Sequence, residues 1–353
     1  MNEKALAEHL KDLIRAPGLS AFEAPVRELV AAAWEPYTTD QSVSRLGSLH
    51  ALQKGIGKTP RPKILLAAHM DMVGLMVTQV EGGFCRITQV GGLDARILPG
   101  QAVVIHGRED VPATIVFPPA ALLPPDRKAE IPRLQDLWLD TGLPEPEAAR
   151  LIRTGDTADF MQPPMDLAGG RIAGRSLDDR AGVAALTVCL AELAARPHRW
   201  DVIAAATVQE EETLGGAATS SFALHPDLAI AVDVTFGAAP GLPEHKTFAL
   251  GEGPTIGLGP NVHPGVHRWM IRTAAKAGIK YGLEVMPTHS GTDAYAMQVS
   301  AEGIPTGVIG IPLRSMHTAV EIVALADIQA AGHLLAEGIA VLDDGFLSKL
   351  RWE

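Results

Sequence analysis

The amino-acid sequence predicts an α/β protein in which a mostly parallel, mixed sheet is sandwiched between helices. From about residue 170 onwards, short apolar runs typical of strands alternate with helical patterns, and such alternation is typical of a parallel sheet. Between residues 73 and 160, short β-runs are instead separated by GG, PG and acidic turns. We therefore expect a main domain formed by residues 1–72 and 161–353, with a small β-barrel-like domain, residues 73–160, inserted into it.

The N-terminal residues predict two helices and a strand. In MNEKALAEHLKDLIRA the apolar residues recur at helical spacing. Ser20 and Glu23 have the spacing of a capping box, so a second helix should follow them. The run PKILLAAHMDMVG then predicts a buried strand, Ile64 to Ala68, that ends in a polar cluster.

The inserted region and the C-terminal half predict the remaining elements. Four segments have the composition of strands: FCRITQV, AVVIHG, ATIVF and LWLDTG. PEPEAARLI predicts a short helix, and residues 118–146 are expected to contain a long exposed loop. Further on, AGVAALTVCLAELAAR and GVHRWMIRTAAKAG predict helices, while DVIAAATVQEE, LAIAVDVT and PTGVIGIP predict strands. A final helix, ALADIQAAGHLLAEGIAVL, completes the sandwich.

Composition excludes several classes of protein. The formal net charge of −11 disfavours binding to nucleic acid or to anionic membranes, because both are polyanions. No apolar run of about 18 residues predicts a membrane span, and the N-terminus does not have the pattern of a signal peptide. Cys85 and Cys189 are far apart and do not suggest a disulfide framework, which favours a reducing cytoplasm.

Five segments place histidine or carboxylate side chains at the ends of apolar runs, where α/β sheets bind ligands. In the first, His69 and Asp71 point to the same side of an extended chain, so the carboxylate can orient a metal-bound imidazole. The alternative is a turn histidine beside a solvated aspartate. In the second, Asp178 and Asp179 precede a helix that begins near Arg180. One of these carboxylates can bridge two cations, or both can serve as helix caps.

The other three segments add more hard ligands. Glu210 to Glu212 end an apolar strand, and several like charges buried there require a cation, unless they form an exposed acidic loop. Asp233 lies inside an apolar strand, where an unpartnered carboxylate is disfavoured. His317 follows another strand, and alone it is more typical of a structural histidine. Together, two histidines and several carboxylates suit a pair of Zn²⁺, Mn²⁺ or Co²⁺ ions.

The order of the segments HMD, DDR, QEE, VDV and RSMH resembles family 42 of the metallopeptidases, the glutamyl and TET-type aminopeptidases. GLSAFE, VGGLDARILPGQAV, LDTG and SGTDAYAMQ extend this resemblance over nearly the whole chain. It implies a zinc exopeptidase core of the phosphorylase/hydrolase-like type and a cis peptide between Asp178 and Asp179. The ligand sets it implies are His69, Asp178 and Asp233 for one ion, and Asp178, Glu211 and His317 for the other. It also implies that Glu210 is the general base and that Asp71 orients His69.

The sequence departs from this family in two segments. The usual QEEVGLRGA is QEEETLGGA here, so Glu212 and Thr213 are unusual, and Glu212 adds charge beside the metal pair. The usual RYMHS is RSMHT, so Ser315 replaces an aromatic residue and widens the expected specificity pocket. Asp293 has the position of a helix cap, although the resemblance suggests a role near the substrate, and Arg314 is expected to pair with a site carboxylate or the substrate.

The resemblance implies a metal-dependent aminopeptidase that removes residues from peptides with free N-termini by means of a water shared between two divalent ions. Zinc is the expected metal, with cobalt or manganese as alternatives. The resemblance also implies that the inserted domain forms dimers and that dimers build a dodecamer. Two other functions stay open: a related di-zinc N-acyl amino-acid deacylase or carboxypeptidase, and a non-catalytic peptide-binding relative. The preferred N-terminal residue does not follow from the sequence.

Overall fold

The computed structural model describes residues 1–127, 130–350 and 352. It consists of an eleven-stranded mixed sheet covered by helices and a six-stranded closed barrel. In chain order the described strands are β1 (Asp40–Val43), β2 (Leu49–Gln53), β3 (Lys63–His69), β4 (Gly74–Glu81), β5 (Phe84–Val90), β6 (Ala102–His106), β7 (Asp110–Val116), β8 (Trp138–Asp140), β9 (Thr157–Phe160), β10 (Met165–Leu167), β11 (Arg171–Gly174), β12 (Asp201–Thr207), β13 (Leu228–Phe236), β14 (Thr255–Leu258), β15 (Gly282–Val285), β16 (Thr306–Arg314) and β17 (Glu321–Ala324). The described α-helices are α1 (Glu3–Arg15), α2 (Ala24–Trp34), α3 (Glu145–Leu151), α4 (Leu177–Ala194), α5 (Glu210–Thr213), α6 (Gly215–Leu224), α7 (Pro264–Ala277), α8 (Asp293–Gln298), α9 (Leu325–Ala340) and α10 (Phe346–Lys349).

Four parallel strands form the centre of the large sheet, in the order β12-β3-β13-β16. Antiparallel strands extend it on both sides, so the sheet is mixed. The four central strands are buried almost throughout, as expected for strands covered on both faces. Because they run in parallel, their carboxyl ends lie at one edge of the sheet.

Helices cover both faces of this sheet, as the sequence predicts. Alternate residues of β3 enter different cores, because successive side chains of a strand point to opposite faces. Ile64, Leu66 and Ala68 pack in the core that includes α1, α4 and α9. Leu65 and Ala67 pack in the smaller core that includes α6 and α8. The α/β sandwich is therefore confirmed.

The barrel contains the β-runs of the region from Gly74 to Phe160. Its strands pair in the order β4-β5-β8-β7-β6-β9, with antiparallel neighbours throughout. Its interior has a core of its own, formed by apolar side chains that include Leu75, Ile105 and Leu139. The chain passes from β3 to β4 through residues 70–73. The barrel therefore begins next to the edge of the sheet where β3 ends.

Two local predictions were wrong. Helix α2 begins at Ala24, with Glu23 at its N-cap position and without a side-chain cap. The Ser20 hydroxyl instead donates to the Asp71 carboxylate, so the two residues do not form a capping box. Strand β12 ends at Thr207 before the three glutamates, which form the one-turn helix α5. In the part of the chain that the structure describes, no helix has both the length and the apolarity needed to cross a membrane.

Candidate metal centre

The ends of the four central parallel strands bring the five sequence segments together. His69 is the last residue of β3, and Asp233 lies in the second half of β13. Helix α5 follows β12 and carries Glu210 and Glu211, while His317 follows β16 by three residues. Asp178, which has non-helical backbone angles and precedes the regular part of α4, contributes a fifth group to the same edge. This is the position at which open α/β sheets bind their ligands.

The first group of potential ligands is His69, Asp178 and Asp233. His69 Nε2 lies 3.0 Å from Asp178 Oδ1 and 3.9 Å from Asp233 Oδ1. One ligand atom from each residue lies within 4.8 Å of the others, and all three residues are buried. A single cation can therefore contact one imidazole nitrogen and two carboxylate oxygens in this group.

The second group is Asp178, Glu211 and His317. His317 Nε2 lies 3.3 Å from Asp178 Oδ2 and 3.4 Å from Glu211 Oε2. The ligand atoms of this group also lie within 4.8 Å of one another. The Oδ1 atom of Asp178 faces His69 whereas its Oδ2 atom faces His317, so one carboxylate is shared between the two groups. The peptide that joins Asp178 to Asp179 is cis.

The donor set fits a pair of divalent cations. Glu211 Oε1 and Asp179 Oδ2 are buried, and neither has a hydrogen-bond partner among the described residues. Unpartnered carboxylate oxygens are disfavoured in a protein interior unless a positive charge compensates them. Imidazole nitrogen and carboxylate oxygen are also the ligands that zinc, manganese and cobalt accept in enzymes.

Comparison with known proteins identifies the family. The model for M42 glutamyl aminopeptidases matches residues 47–334. The chain belongs to this family. A lysyl aminopeptidase of Pyrococcus furiosus is 32% identical to it over 331 residues, which cover 91% of this chain and 93% of the relative. This M42 chain is therefore an aminopeptidase of a metallopeptidase family, a hydrolase that acts on peptide bonds.

Solved structures of related aminopeptidases share the whole fold of the M42 chain. A TET aminopeptidase from the marine sediment archaeon Thaumarchaeota archaeon SCGC AB-539-E09 has a TM-score of 0.94 at 30% identity, and the match covers 99% of this chain and 100% of that one. The TET1 peptidase of Pyrococcus horikoshii, which can assemble into a tetrahedron or a large octahedral shell, has a TM-score of 0.83 at 30% identity over 96% of this chain and 100% of that one. These similarities confirm the fold class and the family.

The carboxyl groups of the M42 site have unusual electrostatics. Burial raises the pKa of Glu210 to about 10, and the nearby charges of Asp233 and Asp293 also raise it. Burial likewise raises the pKa of Glu211 to about 7 and holds the pKa of Asp233 well above its usual range. A bound divalent cation reverses this effect, because it stabilises the ionised carboxylates. The cluster is thus built for positive charge.

For the two site histidines, the neighbouring carboxylates together have a larger effect on the pKa than burial has. Burial lowers the pKa of His69, but its hydrogen bonds to Asp178 and Asp71 outweigh that effect and raise the pKa well above its usual range. Burial also opposes the charged form of His317, yet the Asp178 hydrogen bond and the Glu211 charge raise its pKa to about 9. Both imidazoles therefore lie in a strongly negative environment, which attracts a proton or a metal ion.

Asp71 supports the site in two ways. Its main-chain carbonyl accepts a hydrogen bond from His69 Nδ1 at 3.1 Å, which leaves Nε2 directed towards Asp178. Its carboxylate accepts from Ser20 Oγ at 2.5 Å and from the backbone N–H groups of Glu210 at 3.0 Å and Glu211 at 3.2 Å. Asp71 therefore also fixes the start of helix α5.

Three residues that support the site were missed in the sequence analysis. Glu321 Oε1 accepts from the backbone N–H of His317 at 2.8 Å, and its Oε2 atom accepts from that of Asp178 at 3.1 Å. Glu23 Oε1 accepts from the backbone N–H of Gln209, and the Gly92 carbonyl accepts from His317 Nδ1 at 2.7 Å. The signal for Glu321 was available, because it is a carboxylate in a mostly apolar strand, as is Asp233.

Asp293 and Arg314 lie in different environments. Asp293 is the first residue of α8, and Thr292 rather than Asp293 caps this helix. The Thr207 hydroxyl donates to Asp293 Oδ2, while Asp293 Oδ1 is buried without a hydrogen-bond partner among the described residues. Burial raises the pKa of Asp293 to about 6. Arg314 Nε donates to the Ala238 carbonyl at 2.7 Å, so this nitrogen has a backbone partner.

Proposed function

We propose that this aminopeptidase releases N-terminal residues from peptides at a centre of two divalent metal ions. The observation that carries the proposal is the pair of ligand groups that share the Asp178 carboxylate. His69 and Asp233 complete one group, and Glu211 and His317 complete the other. Zinc is our first choice of metal because tetrahedral nitrogen and oxygen sites suit it, and cobalt and manganese accept the same donors.

Two bound divalent ions would lower the pKa of a water molecule and polarise the scissile carbonyl. Glu210 Oε2 lies 3.9 Å from His69 Nε2, beside the ligands but outside both groups. Its carboxylate takes a proton from the attacking water and returns it to the leaving amine. The two hydrogen bonds from α5 to Asp71 hold Glu210 in place for this transfer. A positioned base of this kind accelerates a reaction by about 10²–10⁴-fold.

The substrate's free α-amine is the group that selects for N-termini in this proposal. Asp293 Oδ1 is a buried acceptor that no described residue bonds, and the charge of Asp293 acts on both Glu210 and Asp233. We therefore assign Asp293 to binding the substrate's ammonium group. Arg314 ends β16 next to the His317 segment, and we assign its remaining N–H groups to the substrate or to a site carboxylate.

The test of this proposal is Glu210→Gln, with the exposed Glu244→Gln as a matched control. We expect Glu210→Gln to keep two metal ions per chain by elemental analysis, because no ligand changes, and to lose about 10²–10⁴-fold in kcat. Glu244→Gln should keep both properties. A Glu210→Gln variant with the unchanged kcat would show that the base is another group.

Blocked peptides separate this function from its alternatives. An aminopeptidase should hydrolyse a peptide with a free N-terminus and leave its N-acetylated form intact. A deacylase should prefer the acylated form, and a carboxypeptidase should release the C-terminal residue first. A chain that binds peptides without hydrolysing any of them in the presence of zinc, cobalt or manganese is a non-catalytic relative.

We also propose that residues 73–160 form a dimerisation domain inserted into a catalytic domain of residues 1–72 and 161–353, and that dimers build a dodecamer. The barrel carries an apolar groove at its surface, lined by residues that include Phe84, Phe117 and Trp138. Light scattering coupled to size-exclusion chromatography tests this assembly; a metal-saturated dimer would contradict it. Cys85 and Cys189 are free and buried, which suits our assignment of the enzyme to the cytoplasm.

A further inference from the structure

A turn of the barrel lies directly against the metal centre. It consists of Gly91 and Gly92, which follow β5. The Gly92 carbonyl accepts a hydrogen bond from His317 Nδ1 at 2.7 Å. The preceding backbone N–H, that of Gly91, donates to Glu212 Oε1 at 2.5 Å. The turn is therefore hydrogen-bonded both to His317, a proposed metal ligand, and to Glu212 of helix α5.

Close packing fixes the position of this turn. Gly91 has a φ of +76°, and a Cβ atom at this residue would lie 2.6 Å from Val73 Cγ1. A Cβ atom at Gly92 would lie 3.3 Å from His317 Nδ1. The turn is thus packed tightly against the imidazole ring, so a movement of the turn would shift the carbonyl that accepts from His317 Nδ1.

Both attachments of the turn concern the same group of ligands. Glu212 directly follows Glu211, and Glu211 shares its group with Asp178 and His317. The N-terminal end of α5 is already held by Asp71, so the Glu212 side chain fixes the other end of this short helix. The group that contains His69 has separate support, because His69 Nδ1 donates to the Asp71 carbonyl.

We propose that Glu212 is a positioning residue for the ion held by Asp178, Glu211 and His317. Its carboxylate holds the Gly91–Gly92 turn, and the turn's carbonyl fixes the His317 tautomer with the proton on Nδ1. His317 Nε2 is then free and directed at the ion, as metal-binding imidazoles require. This inference rests on the two-metal function proposed above, and it adds to that function a carboxylate that contacts neither substrate nor metal.

The test compares Glu212→Val, which removes the acceptor, with Glu212→Gln, which keeps an acceptor oxygen but removes the charge. Zinc is titrated into the metal-free protein against a chromophoric chelator. Groups that support a metal ligand typically contribute about 10–100-fold in metal affinity, and Glu212 is exposed, so we expect a loss of about 10-fold for one ion in Glu212→Val. Glu212→Gln should bind that ion within about 2-fold of the unchanged protein, and the other ion should bind equally in all three proteins.

Control variants separate a specific effect of Glu212 from misfolding and from a general effect of charge. Glu244→Val removes an exposed carboxylate elsewhere, and it should leave the affinities for both ions unchanged. The melting temperatures of the metal-free proteins show whether each variant is folded. Equal affinities in Glu212→Val and the unchanged protein would overturn the proposal. Equal losses in Glu212→Val and Glu212→Gln would also overturn it, because they would show an effect of charge rather than of the hydrogen bond. His317→Ala should lose one ion completely; if it keeps two, the proposed metal centre itself is wrong, whatever Glu212 does.

Discussion

Asp71→Asn tests whether Asp71 positions both His69 and the proposed base, Glu210. Among the described residues, the groups that face the Asp71 carboxylate are donors: Ser20 Oγ, the backbone N–H groups of Glu210 and Glu211, and His69 Nδ1, which lies 3.5 Å from Oδ1. Asparagine has nearly the same shape but a single acceptor oxygen. The substitution therefore keeps the volume of the side chain and removes one acceptor from a fully buried position.

The magnitude follows from the geometry of these bonds. If the amide nitrogen of asparagine takes the Oδ1 position, it faces the Glu210 N–H group, which then has no acceptor. If the amide nitrogen takes the Oδ2 position, the Ser20 hydroxyl can rotate and accept from it, but the Glu211 N–H group loses its acceptor. One buried backbone donor is unsatisfied either way, which costs about 1–3 kcal/mol. The bonds that remain also lose their charge assistance, so we expect a total destabilisation of about 2–4 kcal/mol. For a chain of this length, that lowers the melting temperature by roughly 2–6 °C.

Catalysis should suffer more than stability. A displacement of about 1 Å at a catalytic group reduces the rate about 10²-fold, and Asp71 anchors the helix that carries Glu210. The assay measures kcat and the melting temperature of Asp71→Asn at a fixed concentration of protein and metal. Ser20→Ala is the matched control, because it removes one donor but leaves both oxygens to the backbone, so its kcat should stay within a few-fold. If Asp71→Asn retains both the kcat and the melting temperature, Asp71 does not position α5.

Two further predictions concern groups around the site. Glu321→Gln leaves one acceptor oxygen for the backbone N–H groups of His317 and Asp178. The affinity for zinc, measured in a chelator titration, should therefore fall about 10–100-fold. An unchanged affinity would show that Glu321 does not support the ligands. Asp159, whose Oδ2 atom lies 3.1 Å from His106 Nε2, raises the pKa of His106, which also bonds to Asp110 through Nδ1 at 2.8 Å. The folded state therefore favours the imidazolium; this stabilisation is complete below about pH 6.5 and is lost as the pH rises through the folded pKa. Melting temperatures at about pH 6 and pH 9 should differ less in His106→Gln than in the unchanged protein, and equal differences would refute the assignment.

The sequence was informative where a polar residue interrupts an apolar strand. Asp233 stands out because it interrupts an apolar run and His69 because it ends one, and a charge buried in such a place needs a partner. The parallel arrangement of the strands then brings distant residues to the same edge of the sheet. Burial and strand direction are encoded locally, so these features could be predicted without coordinates.

Features that depend on distant partners could not be predicted in this way. The segment from Glu210 to Thr213 follows a strand and carries three charges, which suits an extended loop as well as a helical turn. The helix is selected by Asp71, which is 139 residues away from Glu210 and accepts two of the free N–H groups at the helix start. Ser20 likewise has the spacing of a cap, but the Asp71 carboxylate, 51 residues further along the chain, is its partner.

The barrel also contacts the proposed metal centre. It reaches the site at two places: the Gly92 carbonyl orients His317, and Asp159 of β9 forms an ion pair with Arg175 at 2.7 Å. Arg175 precedes Asp178, the proposed shared ligand, by three residues, so this buried pair holds the segment that leads to both proposed ligand groups. A shift of the barrel relative to the sheet would therefore disturb Asp178 from one side and His317 from the other. Because both belong to the same proposed ligand group, the affinity for an ion held there should depend on how the barrel is held against the sheet.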